Sequence, residues 1–216
     1  MYNNKFFYSL SLAGIVILFL GHSALFAANN TYRDKNSIQI QAVGGFPLGS
    51  GANLGYHFGP HLYLGVESIS ATYESTGTTD TSTIDLTTNQ LFFRYSPFEN
   101  WAIYLSGGAV SRDWKASYTA TEQIGSSSTS ESYTAELEWP SSGYSFGIGW
   151  DWMTSGGFTI GFGYFTISGG TPTATLATTA SSVSQADIDA EEEELQDDVS
   201  GFTNVGHLHF GVGWAF

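Results

Sequence analysis

His207 and His209 are one residue apart. On an extended strand that spacing puts both imidazoles on the same face. With a carboxylate at their level, Glu67, they would complete a three-ligand set of the kind that holds zinc. As packed interior residues they would instead give and accept hydrogen bonds, with no metal. Four charged side chains, Glu67, Arg94, Arg112 and Asp151, share the same small or polar face of alternating segments. Buried there, each needs a partner, because an unpaired charge in a dry interior is costly. Arg94 and Asp151 each lie two residues above a short turn, so they fall at similar depth, and Glu67 lies higher, near the level of His209. The set reads as a polar network knitting opposite walls or, alternatively, as a gated ion or proton path. His57 and His61 flank the Gly59-Pro60 turn and read as interfacial surface residues. Ester hydrolysis would need a serine activated by a histidine that an acid orients. The serines here cluster in Ser/Thr-rich stretches away from any histidine. The residues therefore point to a non-catalytic protein without a cofactor.

The elements that position these groups are strands. In 206–216, Leu208, Phe210, Val212, Trp214 and Phe216 point one way, and His207, His209, Gly211, Gly213 and Ala215 the other. The same two-residue period marks strands at about 37–46, 51–58, 62–73, 84–95, 101–118, a sixth ending at Trp152, 157–167 and 202–216. Short turns at 59–61, 96–100 and 153–156 alternate with Ser/Thr-rich loops at 74–83, 119–132 and 168–201, and 47–50 turns the first strand. Tyr95, Phe98, Trp101, Trp152, Phe158 and Phe216 gather beside the short turns; Tyr73, Trp114, Tyr118, Trp139 and Phe202 gather toward the loops. Two aromatic groups suit two membrane–water interfaces. The less oily face holds mainly Gly, Gln and single charges, too small and too sparse to solvate an exterior. The expected fold is all-β: an eight-stranded antiparallel up-and-down transmembrane β-barrel with short periplasmic turns and longer extracellular loops.

Composition agrees. Six Lys and Arg against 20 Asp and Glu give a net charge of −14, which excludes a nucleic-acid footprint. Cysteine is absent, so thiol chemistry and disulfides are excluded. Residues 1–27 carry Lys5, an apolar run through Ile15–Leu20 and a small-residue end at Ala27-Ala28, the order of a cleaved signal peptide. The apolar run is shorter than the ~20 residues that a spanning helix needs. The expected division is a leader at 1–27 and a barrel at 28–216 with a long acidic external loop at about 168–201. Within that loop, Ser184 is a plausible N-cap with Asp187 at N3 of a short helix; a solvated loop is the plainer reading. Its acids would bind Ca²⁺ or Mg²⁺, bridging lipopolysaccharide phosphates, or simply keep the surface solvated.

The strand count, the aromatic girdles, the Tyr95-Ser96-Pro97-Phe98 turn followed by Trp101, and the terminal aromatic Phe216 resemble the eight-stranded OmpA-like and OmpX-like outer-membrane barrels, including opacity-type surface proteins. The resemblance covers nearly all of the chain after residue 27. It implies a bacterial outer-membrane location after export, contact with outer-membrane lipids and lipopolysaccharide, and a C-terminal strand whose Phe210, Val212, Trp214 and Phe216 close the barrel and are read by the assembly machinery. The implied role is structural or adhesin-like, toward an external surface ligand, and the alternative is a narrow, porin-like gated channel for ions or small solutes. Lipid A deacylases on such barrels carry His-x-Ser on a late strand. The corresponding spacing here is His207-x-His209, which speaks against a lipid A-modifying enzyme.

Overall fold

The computed structural model describes residues 33, 35, 37–98, 102–122, 131–178 and 183–216. The expected leader at 1–27 and Trp101 lie outside the described residues. The alternating segments form β1 (Ile38–Phe46), β2 (Gly49–Phe58), β3 (Leu62–Thr76), β4 (Asp80–Tyr95), β5 (Ile103–Glu122), β6 (Glu131–Glu138), β7 (Ser142–Met153), β8 (Phe158–Ser168), β9 (Thr173–Thr178) and β10 (Asn204–Ala215), with a helix, α1 (Gln185–Val199). All pairings are antiparallel. Eight strands close a ring in the order β1-β2-β3-β4-β5-β7-β8-β10, with β10 returning to β1. This is the expected eight-stranded barrel, with two further strands outside the ring.

The ring is sheared. Following the pairing from Ile38 through Tyr56, Leu64, Phe93, Gly107, Phe146 and Thr166 leads to Gly206, level with the residue two beyond Phe46 on β1. A stagger of about ten residues over eight strands corresponds to a tilt of about 40°. Side chains alternate accordingly. Leu208, Phe210, Val212, Trp214 and Phe216 are exposed on the outer wall, while His207, His209, Gly211 and Ala215 are buried inside. Gaps left by inward glycines take large rings: a Cβ at Gly147 would lie 2.3 Å from Phe165, and one at Gly149 would lie 2.6 Å from the Tyr104 hydroxyl.

At the rim that carries the 59–61 and 154–157 turns, here the lower rim, connections are as short as expected. The upper rim differs from expectation. The 74–83 stretch is largely strand rather than loop, and so are the described ends of 119–132, whose middle, 123–130, lies outside the described residues: β3, β4 and β5 rise past the ring, β6 pairs with the upper half of β5, and β9 pairs with β6. Thr and the other β-branched residues there support an extended backbone beyond the ring as well. The 168–201 loop contains β9 and α1. Ser184 caps the helix: its Oγ accepts from the Asp187 N–H at 3.3 Å. The expected helix with that cap is the alternative that forms.

Inside the upper mouth, Val43, Leu48, Ile69, Leu86, Val110, Trp114 and Ile167 pack into an apolar cluster, with Trp139 and Val205 against it. This corrects one expectation: Trp114 is 1% exposed and lies inside, not in an outer aromatic girdle. It shares the parity of Arg112 on β5, so the alternation that turns one inward turns both.

The seam between β1 and β10 leaves no room for a side chain at Gly213. A Cβ on Gly213 would lie 1.9 Å from the Ile40 carbonyl oxygen and 2.7 Å from the Gln41 Cα, both backbone atoms. Gly213→Ala is therefore expected to destabilise the barrel by about 1–3 kcal/mol, the usual cost of overpacking. Loss of the compact, unboiled gel band at a lower temperature than wild type is the measurement.

Candidate functional site

The inward residues form three layers, each set by strand register. In the lowest, Arg94, one residue before the end of β4, and Asp151, two before the end of β7, meet across the lumen, Nη1 to Oδ2, at 3.6 Å. Both are nearly fully buried. Gln39 Nε2 donates to the same carboxylate oxygen at 3.3 Å, and His57 Nε2 lies 2.6 Å from Gln39 Oε1. The guanidinium of Arg94 also lies over three rings, 5.2 Å from the centre of Tyr63, 4.9 Å from that of Phe92 and 4.8 Å from that of Tyr104. Such cation–π contacts spread the stabilisation of a desolvated cation over several walls. His57 is a correction: it is 4% exposed and part of this layer, not a surface residue. It shares the inward parity of Asn53 and Gly55 on β2, and Tyr56 and Phe58 take the outer face. His61 stays at the rim, its Nδ1 2.8 Å from the Ser96 carbonyl oxygen.

Sequence reasoning missed Arg33. Its guanidinium enters the lower mouth and donates to Ser96 Oγ at 2.8 Å, the Asp151 carbonyl oxygen at 2.8 Å and the Pro60 carbonyl oxygen at 3.3 Å. It lies before the first strand, where no periodicity marks a facing direction. Beside it remains a cavity of about 10 Å³, room for about one water.

The middle layer centres on Glu67. Its Oε2 accepts from His209 Nε2 at 3.0 Å and from Asn53 Nδ2 at 3.2 Å, and its Oε1 accepts from Gln90 Nε2 at 2.8 Å. Tyr63 Oη donates to Asn53 Oδ1 at 2.6 Å, and Ser145 Oγ donates to Gln90 Oε1 at 3.1 Å. Five strands are thereby joined through one carboxylate. His207 packs instead against Phe165, ring centres 6.5 Å apart. The three-ligand arrangement considered from sequence does not form: among the described residues, no three His, Cys, Asp or Glu stand close enough to hold a metal.

The upper layer is the apolar cluster. Trp114 Nε1 donates to Thr88 Oγ1 at 2.9 Å, which satisfies the only polar atom of the indole. Arg112 stands apart from Glu67, Arg94 and Asp151. It lies 4.9 Å from the Trp114 ring centre and donates to the carbonyl oxygens of Pro140 and Gly169. It thus ties the two long upper connections to the wall rather than joining a charged path. Thr88→Val would leave the Trp114 N–H buried without an acceptor, and a loss of about 1–3 kcal/mol is expected, read as an earlier urea midpoint in the Trp fluorescence of folded protein.

The lumen is thus filled by side chains, as an eight-stranded ring allows. Its lower two layers are charged and hydrogen-bonded, and its upper layer is mainly apolar. Beyond the ring, nearly all the acids are concentrated: all except Asp34, Glu67, Glu99 and Asp151 lie on the upper parts of β3–β5, on β6 or on α1. No Lys or Arg follows Lys115.

No protein-family model and no curated protein matches the chain. Solved structures do. Acinetobacter baumannii CarO2 superposes with a TM-score of 0.60 at 15% identity, over 84% of this chain and 99% of that one. Acinetobacter baumannii CarO superposes with a TM-score of 0.58 at 13% identity, over 83% of this chain and 98% of that one. At such identity the likeness is one of fold: this chain shares the β-barrel fold of those two structures.

Proposed function

We propose that this chain is an outer-membrane β-barrel whose role is structural and surface-interactive rather than catalytic. The observation that carries the reading is the contrast between a filled lumen and an elaborate upper rim. Packed rings and paired charges occupy the interior, and the residues invested beyond the ring form an acidic, Thr-rich sheet and helix. An outer wall of exposed Leu, Ile, Phe, Tyr and Trp is what a bilayer would cover, since water would penalise so large an apolar patch. Lipids and lipopolysaccharide would surround that wall, the assembly machinery would read the Phe210–Phe216 strand, and an external ligand would meet the upper sheet. The non-catalytic part of the proposal is supported by His207 and His209, both sealed inside the wall.

The test is planar-bilayer recording of the purified barrel, with gel migration of boiled and unboiled outer-membrane fractions and surface proteolysis of intact cells. The expected result is a heat-shifted band, cleavage in the upper connections and a silent bilayer. Discrete conductance steps would overturn the reading in favour of a narrow gated channel. That second reading is favoured by one observation, the two ionisable pairs Arg94–Asp151 and Glu67–His209 stacked along the lumen.

A further inference from the structure

The upper sheet ends at β9, which among the described residues pairs only with β6. A bare edge of this kind invites another strand. Here α1 covers it in an uncommon way. Gln196 Oε1 accepts from the Ala174 N–H at 2.9 Å, Glu192 Oε1 accepts from the Leu176 N–H at 2.6 Å, and Gln196 Nε2 donates to the Pro172 carbonyl oxygen at 2.9 Å. Residues four apart on a helix are about 6 Å apart along its axis. Residues two apart on a strand are separated by about 6.6 Å. The two side chains therefore stand where the carbonyls of a neighbouring strand would stand, and they satisfy the same N–H groups.

The cover is loosely made. Asp187, Asp189, Glu191 to Glu194, Asp197 and Asp198 crowd one helix, and only Val199 is fully buried. The last turn holds no basic residue and carries Asp197 and Asp198 at the negative end of the helix dipole, the unfavourable arrangement. What holds α1 in place is largely the set of contacts that a competing strand would replace.

We propose that β9 is a strand-addition site kept closed by α1, and that its partner is an extended cationic peptide segment; this rests on the surface-interaction reading above. Strand addition supplies backbone hydrogen bonds, and the two sheet faces select the side chains. On one face Thr173 and Thr175 lie in register with the exposed Glu138 and Glu136. On the other, Ala174 and Leu176 lie in register with Leu137 and Ala135. A partner strand, two strand spacings or about 10 Å from β6, therefore presents cations at alternate positions toward Glu136, and toward Glu138, where they would compete with Lys115 at 3.2 Å, and apolar residues between them. A second copy of this chain fits poorly, because it would set the same acid-rich sheet against itself.

The experiment uses the full barrel in nanodiscs, with hydrogen exchange read at the Ala174 and Leu176 amides. Two variants open the cover differently: E192A/Q196A removes the acceptors, and E193G/E194G loosens the helix while keeping them. The probe is a capped heptapeptide alternating Lys and Val, with a Glu/Val peptide as control. In both variants the two amides are expected to exchange at least tenfold faster than in wild type. The Lys/Val peptide should slow them again and bind at least tenfold more tightly than it binds wild type. Unchanged exchange in both variants overturns the cover, and binding without protection of these two amides overturns strand addition. Equal protection by the Glu/Val peptide overturns the cationic partner. Failure of the broader surface reading would show separately, as channel conductance or as protection of 173–199 from protease on intact cells.

Discussion

Asp151→Ala is expected to cost the barrel about 3–5 kcal/mol, the loss seen when one partner of a buried ion pair is removed. The carboxylate stands 3.6 Å from the Arg94 guanidinium, with exposures of 3% and 4%. After the substitution Arg94 keeps its three surrounding rings but has no counter-charge in its layer, and Gln39 Nε2 loses its acceptor. Arg33 is affected less, since it bonds the Asp151 backbone oxygen, which alanine retains. Asp151→Asn, which keeps size and an acceptor, should fall between wild type and alanine. Removing both charges, as R94L/D151L, should cost clearly less than the sum of the two single changes. Denaturant titration in micelles, followed by loss of the unboiled gel band, gives the values for these variants and for the two single leucine changes. A loss below about 1 kcal/mol for Asp151→Ala would mean that water reaches the pair as it reaches surface ion pairs. That outcome would favour the channel reading over a filled lumen.

Phe210→Arg is expected to cost about 2–4 kcal/mol if the ring lies near the bilayer midplane. Phe210 is 49% exposed on the outer wall, opposite Phe162 on β8 and Gly44 on β1. An arginine there has no polar partner within its own strand face, where Leu208 and Val212 flank it. Its neighbour in sequence supplies the control. A Cβ on Gly211 would meet only the flexible end of Gln41, at 3.3 Å from Oε1. Gly211→Ala should therefore be mild, and the pair distinguishes the two faces of one strand. Equal tolerance of both changes, measured by refolding into vesicles, would mean that the outer wall is not in lipid.

Much of this molecule was readable from period and parity alone. The alternation in β10 assigned lipid-side and interior residues one by one, and counting from the short turns put Arg94 level with Asp151 and Glu67 near His209. Two misreadings came from setting parity aside. Trp114, near a loop, reads as a girdle residue by composition although Arg112, two residues earlier, reads inward, and His57, beside a turn, reads as a surface residue although it shares the parity of Asn53 and Gly55, which face in. A bulky aromatic near a loop suggests an interface by composition, but strand alternation is the stronger constraint. Arg33 is a different case. It precedes the first periodic segment, and nothing local to it encodes the distant Ser96, Pro60 and Asp151 oxygens that receive it.

The sequence by itself determined the eight strands of the ring and the facing of most of their residues, because a two-residue period between an apolar exterior and a packed interior is a local property written into each of those segments. Only the tertiary structure decided the stagger of the ring, the partners of each buried charge, the separation of Arg112 from the other charged residues, and the docking of α1 on the edge of β9. Those depend on register between strands far apart in the chain, where a shift of two residues preserves every facing assignment yet changes every partner.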